Sequence, residues 1–294
     1  MFKSGFIGII GRPNVGKSTL LNCLVGEKIA IVTPKPQTTR SIIMGIKNLK
    51  CPKEAQMIFL DTPGIHKALT PLNRLMVEEA LNTFRNVDIL LMLVNAKEGF
   101  CHEDAFILKS LQGIKLPVFL VINKIDLIEK PKLLPLMGHL KNLYPFKEII
   151  PISALSGEGI ETLTDEIWQL LPEGPPYFSD DIMTDRSERF IAAEIIREKI
   201  ILLAHQEIPY KSAVIVDAFR KDEAKNLIRI QAAIIVEKES QKGILIGKGG
   251  AMLKEIGTKA RLDMEHFFAA KIFLELFVRV RKNWTRDGKF LKGF

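Results

Sequence analysis

Short apolar runs alternate with amphipathic stretches through the first 170 residues of the chain. The apolar runs lie at 6–10, 57–60, 89–94, 118–122 and 149–152, with helical patterns between them, as at 72–84 and 160–171. Buried strands separated by helices are typical of a mostly parallel sheet with helices on both faces. The pattern therefore predicts an α/β domain over residues 1–172.

A stretch rich in proline and glycine at 171–176 ends this pattern and predicts a domain boundary, with a linker over 173–185. Beyond it the pattern predicts a helix, two strands, a glycine cluster, a second long helix and a last strand. These elements are expected at 187–204, 213–219, 227–236, 243–250, 251–266 and 272–280. The order, helix–strand–strand–helix–helix–strand, is that of an α+β domain, which we place at 186–281, followed by a basic and aromatic tail at 282–294.

Composition narrows the class of protein. The apolar runs are too short to span a bilayer, and the N-terminal residues lack the layout of a signal peptide, which favours a cytoplasmic protein. Cys23, Cys51 and Cys101 form no CxxC pair, so we expect free core thiols rather than disulfides or zinc ligands. Residues 243–294 hold 11 Lys/Arg and 5 Asp/Glu, net +6. That charge indicates either a polyanionic partner or a solvated basic tail.

A phosphate-loop motif, G-x-x-x-x-G-K-[ST], follows the first strand and opens a helix. Its residues are Gly11, Arg12, Pro13, Asn14, Val15, Gly16, Lys17, Ser18 and Thr19. The glycines let backbone N–H groups point at phosphate oxygens, and the helix N-terminus adds positive potential. Lys17 is placed to reach the β- and γ-phosphates, and the Ser18 hydroxyl is placed to ligate Mg²⁺.

A second motif, Asp61-Thr62-Pro63-Gly64, ends the strand that should lie beside the first one. We predict that Asp61 faces the metal from the other side and that the Gly64 N–H approaches the γ-phosphate. Ile65 follows, at the place where many small GTPases carry a glutamine that orients the attacking water. Isoleucine cannot orient water, so hydrolysis should be slow unless another group or a monovalent cation helps.

A base-recognition motif, Asn123-Lys124-Ile125-Asp126, follows the strand at 118–122. The Asp126 carboxylate can accept two hydrogen bonds from guanine, whereas adenine would leave that buried carboxylate unpaired. The Lys124 stem can lie along the base. Ser153, Ala154 and Leu155 follow the next strand, and their backbone N–H groups are expected to face the guanine carbonyl.

The ordered set of these motifs resembles the translation-factor-type GTPases, and the wording GRPNVGKST with DTPGI resembles their Era branch. The resemblance implies GTP or GDP with Mg²⁺, and a switch loop over 33–40. It implies a Mg²⁺-ligating threonine there, for which we favour Thr39 over the rival Thr38. It also implies that Lys17, Asn14, Thr39 and Gly64 serve catalysis. In that branch the residue matching Asn14 helps hold K⁺; the competing interpretation is that Asn14 only pins the loop.

The glycine cluster of the second domain contains a GxxG turn, Gly247 to Gly250, between two helices. With the element order it resembles a type II KH domain, which implies binding of single-stranded RNA. The expected RNA-binding residues are Ile246, Gly247, Lys248, Gly249, Gly250, Lys254, Lys259 and Arg261, with Ile244 and Ile246 lining an apolar groove. The tail aromatics Trp284, Phe290 and Phe294 either stack on RNA or dock on the domain.

One GTPase domain followed by one KH domain is similar to the Era family over nearly the whole chain. The resemblance implies binding of 16S ribosomal RNA near its 3′ end, a role in assembly of the small (30S) ribosomal subunit, and partial association with the inner face of the membrane. We expect a monomer. Three alternatives stay open: another RNA target, a constitutive RNA binder with weak hydrolysis, and a metabolic phosphate-loop enzyme.

Overall fold

The computed structural model describes residues 1–36, 38–65, 76–77, 80, 82 and 86–287. Most of the helix predicted at 72–84 lies outside this set, as do the tail residues Phe290 and Phe294. The chain forms two compact units. The first comprises Met1–Ala30 and Thr39–Asp185, and the second comprises Ile31–Thr38 and Arg186–Phe294. Each unit is described by itself below.

The first unit is built on a six-stranded sheet in the order β2-β3-β1-β4-β5-β6. Its strands are β1 Lys3–Ile10, β2 Ile43–Leu49, β3 Ala55–Asp61, β4 Ile89–Asn95, β5 Val118–Asn123 and β6 Glu148–Pro151. Four of the five neighbouring pairs are parallel, so the predicted mostly parallel sheet is confirmed. The exception, β2, pairs antiparallel with β3 and was not predicted, because glycine and lysine interrupt its apolar pattern.

In the part of the first unit that the structure describes, helices with defined bounds follow strands of this sheet at α1 Lys17–Val25, α2 His102–Ser110, α3 Lys130–Lys141 and α4 Ile160–Leu170. The parallel strands bring their carboxyl ends to one edge of the sheet. Ile9 on β1 is the register partner of Asp61 on β3, and Asn95 on β4 is the partner of Asn123 on β5. The predicted motifs therefore meet at this edge, where open α/β sheets bind their ligands.

The segment predicted as a linker, 173–185, packs within the first unit. The side chain of Gln56, fully buried in β3, holds this segment. Its carbonyl oxygen accepts hydrogen bonds from the backbone N–H groups of Tyr177 at 2.7 Å and Phe178 at 2.9 Å. The proline-rich composition at 171–176 thus marks an extended strap on the first unit, and the second unit begins at Arg186.

The second unit has the predicted helix–strand–strand–helix–helix–strand order. Its elements are α5 Glu188–Leu203, β7 Ala213–Asp222, β8 Leu227–Val236, α6 Glu239–Ile246, α7 Ala251–Phe268 and β9 Lys271–Val280. Strand β8 lies in the middle, antiparallel to β7 and parallel to β9. The KH fold is therefore confirmed, because alternate apolar residues of the sheet pack against α5 and α7 around one core.

The structure places the three cysteines and the tail residue Trp284. The expectation of core thiols is wrong, since Cys51 is exposed and Cys23 and Cys101 are half-buried, although all three are free cysteines. Trp284 docks on the sheet of the second unit: it is 1% exposed and donates its indole N–H to the carbonyl of Lys211 at 3.3 Å. Among the described residues, no helix is both long and apolar enough to cross a membrane.

Candidate functional site

The phosphate loop is shaped by residues with positive φ angles. Gly16, at the N-terminus of α1, has φ +98°, and a Cβ there would lie 2.3 Å from Nδ2 of Asn123. Only glycine satisfies both conditions, so the motif fixes the loop against the base-recognition strand. Asn14, at φ 62°, adopts the left-handed conformation that asparagine tolerates better than most residues. Val15 is buried, and Pro13 and Thr19 are half-buried.

Lys17 lies buried beneath this loop. Its Nζ donates hydrogen bonds to the carbonyl oxygens of Gly11 at 3.1 Å and Arg12 at 3.0 Å. Burial lowers the pKa of Lys17 to about 8, against the attraction of the Asp61 carboxylate, which raises it. A buried ammonium held by neutral carbonyls is poorly compensated, and phosphate oxygens in the loop would supply the missing negative charge.

Three oxygen-bearing side chains converge beside Lys17. The Ser18 hydroxyl donates to Oδ2 of Asp61 at 2.6 Å and lies 2.9 Å from Oγ1 of Thr39. Asp61 is fully buried, and its Oδ1 has no hydrogen-bond partner. Hydroxyl and carboxylate oxygens are the ligands that Mg²⁺ prefers, and the orphaned oxygen of Asp61 fits a bound cation or its water.

The position of Thr38 differs from that of its neighbour. The Thr38 hydroxyl donates to the carbonyl of Lys35 at 2.7 Å and lies 2.6 Å from the Thr33 hydroxyl, so it closes a local turn. Only Thr39 of the two is brought to Ser18 and Asp61, being 7% exposed there. The geometry therefore favours Thr39 as the metal ligand.

The DTPG motif approaches the phosphate loop closely. A Cβ on Gly64 would lie 2.7 Å from Cγ and 2.8 Å from N of Pro13, so this approach requires glycine. The neighbouring Thr62, Pro63 and Ile65 are buried and stabilise the end of the strand. The Thr62 hydroxyl donates to the carbonyl of Ile9 at 2.8 Å, Pro63 is buried, and Ile65 is 0% exposed in the apolar core of the first unit. Ile65 therefore serves packing.

Asn123 is the centre of the base-recognition site. Its Nδ2 donates to the carbonyl of Val15 at 2.8 Å, and its Oδ1 accepts from the N–H groups of Lys124 at 2.8 Å and Ala154 at 3.0 Å. Lys124, at φ 66°, extends its Nζ to the carbonyl of Asn14 at 2.8 Å. These bonds tie three separate loops together at the edge of the sheet.

Two expectations at this site need correction. Asp126, in the short helix Ile125–Leu127, is exposed rather than buried, so the bound purine itself would have to cover its carboxylate. The Ala154 N–H donates to Asn123, and the Ser153 N–H donates to the carbonyl of Glu158 at 2.9 Å. Neither N–H is directed to a guanine carbonyl as predicted, while the Leu155 side chain is 83% exposed.

Arg12 has a partner that the sequence did not reveal. Its side chain turns away from the phosphate loop to ion pair with Glu98 at 2.5 Å and with Asp104 at 3.2 Å. Asp104 is 0% exposed at the start of α2, where it also accepts the Cys101 N–H at 2.9 Å. Burial raises the pKa of Asp104, although Cys101 and Arg12 lower it. The sequence feature that could have indicated a buried acidic partner is the presence of Asp104 in the first turn of α2, where the helix N-terminus favours a negative charge.

The GxxG turn of the second unit also requires glycine. Gly247 has φ +72°, and a Cβ there would lie 2.8 Å from Cβ of Met252. Gly249 and Gly250 also have positive φ angles, at 59° and 81°. Lys248 is exposed at the turn, and Ile246 is half-buried just before it.

A groove of about 390 Å³ lies between α7 and β9 in the second unit. Its lining is Gly250, Leu253, Lys254, Gly257, Thr258, Arg261, Leu274 and Leu276. Lys254 and Arg261 were predicted, whereas the apolar lining comes from these leucines rather than from Ile244 and Ile246, which precede the turn on α6. The predicted Lys259 is exposed on α7 and pairs with Glu255 at 2.7 Å. A cationic apolar groove beside a GxxG turn suits single-stranded RNA.

A phosphate-loop GTPase domain followed by a KH domain is the class of protein that this fold and these sites define. Comparison with known families agrees: residues 6–124 match the family described as 50S ribosome-binding GTPase, and residues 207–285 match the KH domain family. The GTPase Era of Syntrophus aciditrophicus strain SB is 67% identical over 294 residues, which cover 100% of this chain and 95% of that protein.

Solved structures agree along the whole chain. A crystal structure of Era in complex with MgGDPNP and nucleotides 1506–1542 of 16S ribosomal RNA has a TM-score of 0.95 at 41% identity, covering 99% of this chain and 98% of that one. An Aquifex aeolicus Era variant bound to GDP·AlF₄⁻ has a TM-score of 0.94 at 40% identity, with the same coverage. The chain belongs to the Era GTPase family, and it is a GTP hydrolase.

The burial of Asp61 predicts a pH-dependent stability change. Burial raises the pKa of Asp61 from 3.8 to about 6, although Lys17, Ser18 and Thr39 lower it. A raised pKa means that the folded state holds this proton more tightly than the unfolded state. The carboxylate therefore costs stability above pH 6, and that cost disappears as the pH falls below 4. Without metal and nucleotide, Asp61→Asn should stabilise the protein by about 2–3 kcal/mol at pH 7.5.

Denaturant unfolding of both proteins at pH 7.5 and pH 4 measures this difference. The gain should shrink to about 0.5 kcal/mol at pH 4, because Asp61 is then protonated in the folded state and only partly ionised in the unfolded state, whose pKa is 3.8. The substitution Asp181→Asn, at an exposed carboxylate of the same unit, serves as the control and should show no such pH-dependent gain. A variant less stable than the parent at pH 7.5 would contradict the assignment of Asp61 as an undercompensated buried charge.

Proposed function

We propose that this chain is a GTP-dependent switch that binds 16S ribosomal RNA near its 3′ end and acts in assembly of the small ribosomal subunit. The proposal depends most on the groove between α7 and β9, which combines Gly250 of the GxxG turn, the cationic side chains of Lys254 and Arg261, and an apolar wall. The full-length similarity to the Era structure solved with MgGDPNP and nucleotides 1506–1542 of 16S ribosomal RNA supports this RNA as the ligand.

The nucleotide site supports the following division of roles. Ser18, Thr39 and Asp61 would hold Mg²⁺, which when bound would neutralise negative charge on the phosphates. The loop amides and Lys17 would donate to phosphate oxygens, and the Gly64 backbone, which lies against Pro13 of the loop, would approach the γ-phosphate. Positioning and charge neutralisation supply most of the acceleration in phosphoryl transfer, so a general base is not required.

The division of the switch loop between the two units supports a coupling between the GTP-binding state and RNA binding. Ile31–Thr38 groups with the second unit, whereas Thr39 groups with the first. Ordering of Thr39 by Mg²⁺ and the γ-phosphate therefore constrains a segment that packs in the RNA-binding unit. We expect this constraint to change RNA affinity between the GTP-bound and GDP-bound states. Three further expectations stay predictions: a cytoplasmic location, expected from composition; association with the inner face of the membrane, implied by the resemblance; and a monomeric state.

RNA binding is tested by charge reversal in the groove. Lys254→Glu should weaken binding of an RNA spanning 16S nucleotides 1506–1542 by about tenfold or more and should lower its salt dependence, because one phosphate contact is lost. The matched control is Lys221→Glu, an exposed lysine of the same unit that pairs with Glu188 outside the groove. Fluorescence anisotropy at several salt concentrations measures both variants.

Equal losses for the two lysine variants would place the RNA elsewhere on the protein. A scrambled RNA that binds as tightly as the 16S segment would favour a different RNA target. RNA affinity that is the same with a GTP analogue and with GDP would favour a constitutive RNA binder and refute the coupling.

Potassium is tested at Asn14. We propose that K⁺ assists hydrolysis near the loop, where Asn14 is exposed at φ 62° and Ile65 is too deeply buried to orient water. The initial hydrolysis rate should be about tenfold higher in KCl than in NaCl at equal ionic strength, because a held cation neutralises developing charge. Asn14→Ala should remove this advantage, whereas the distant exposed Asn142→Ala should retain it. Equal rates in the two salts would leave Asn14 with a purely structural role.

A further inference from the structure

The segment Ile31–Thr38 is held by the C-terminal half of α5. The Glu198 carboxylate accepts the backbone N–H of Val32 at 3.1 Å. The Lys35 ammonium donates to the carbonyls of Ile201 at 2.5 Å and Ala204 at 2.6 Å. These two carbonyls belong to the end of the helix, where backbone oxygens lack partners within the helix and favour a cation. The segment therefore completes the helix end of the second unit.

Arg197 contacts Thr38, the last residue of this segment. Its guanidinium is 4% exposed and pairs in a bidentate manner with Glu194, at 2.7 and 2.6 Å. One of the same nitrogens, Nη2, donates to the backbone carbonyl of Thr38. A buried, charge-balanced guanidinium is a rigid donor, because its planar fork is already oriented by the carboxylate.

The Thr38 carbonyl is part of the peptide bond that leads into Thr39. That peptide is planar, so holding the oxygen of Thr38 restricts the backbone from which the Thr39 side chain extends. In the first unit, the Thr39 hydroxyl lies 2.9 Å from Ser18 and 3.5 Å from Asp61. A displacement of about 1 Å at such a site is enough to change catalytic rates markedly.

We propose that Arg197 is a positioning residue for GTP hydrolysis, acting through the Thr38 carbonyl on the Thr39 hydroxyl. The inference rests on the role of Thr39 in the proposed function. With Arg197 in place, the backbone before Thr39 is ordered before Mg²⁺ and the γ-phosphate bind. Without Arg197, the free-energy cost of ordering this backbone must be met by binding of the metal and nucleotide, which weakens the catalytic complex.

The test uses the full-length protein with Arg197→Met and Arg197→Lys. Arg197→Met should lower kcat for GTP about tenfold and raise the Mg²⁺ concentration for half-maximal rate by a similar factor. GDP affinity measured without Mg²⁺ should stay unchanged, because the phosphate loop and Asp126 do not depend on Thr39. Arg197→Lys keeps one charged donor and should recover part of kcat. If Arg197 only stabilised the fold, Arg197→Met would lower the thermal stability but would not lower kcat and raise the Mg²⁺ requirement at unchanged GDP affinity.

Two comparisons make the outcome decisive. Arg279→Met removes a different arginine–carboxylate pair of the second unit, with Asp217 at 2.9 Å, and should leave kcat and the Mg²⁺ dependence unchanged. Arg197→Met added to Thr39→Ala should cause little further loss, because both substitutions act on one hydroxyl. Should Arg197→Met fail to fold, Arg197→Lys alone must still lower kcat about threefold at unchanged GDP affinity.

Each contrary result has a separate meaning. Normal kcat and Mg²⁺ dependence in Thr39→Ala would refute the proposed metal site. A loss in Thr39→Ala with independent, multiplicative losses from Arg197→Met would overturn the positioning role of Arg197 and leave the metal site intact. Unchanged kcat in folded Arg197→Met would overturn the positioning role as well.

Discussion

Two buried charges of opposite sign, on Asp61 and Lys17, set the requirements that the nucleotide site meets. Both side chains end at the carboxyl edge of the sheet, and burial shifts each pKa toward the neutral form. The protein supplies only partial compensation, through the mutual attraction of the two charges, loop carbonyls for Lys17 and the Ser18 hydroxyl for Asp61. A triphosphate with a divalent cation provides the opposite charge to each group. The two buried charges are therefore fully compensated only when a ligand that carries both a triphosphate and a divalent cation is bound.

The sequence predicted most of this site because its motifs follow strands, and parallel strands bring their carboxyl ends together. The φ angle and close contact of Gly16 could be anticipated from the loop motif. The partnership of Arg12 with Asp104 could not, because it joins residues far apart in sequence by a side-chain direction that no local pattern encodes. The same limit applies to β2, whose pairing with β3 supplies what its own pattern lacks.

The second unit contains one helix that connects the switch segment to the RNA groove. Helix α5 contacts the segment through Arg197 and Glu198, and its next residue, Lys199, pairs with Asp263 of α7 at 2.5 Å. Helix α7 begins at the GxxG turn and forms one wall of the groove. The sequence indicated a Pro/Gly boundary and two modules, but assigned the switch loop wholly to the first. Only the folded chain shows that most of this loop, within Ile31–Thr38, groups with the second unit, whereas Thr39 groups with the first.

We propose that one pocket holds the triphosphate of a guanine nucleotide through Lys17 and reads its base through Asp126. Calorimetric titration of the nucleotide-free protein with GTP and with ATP, both in Mg²⁺, tests it most directly. We expect saturable GTP binding at least about a hundredfold tighter than ATP binding, because adenine lacks the paired donors that Asp126 requires. Equal affinity for the two nucleotides, or no binding of either, would contradict it.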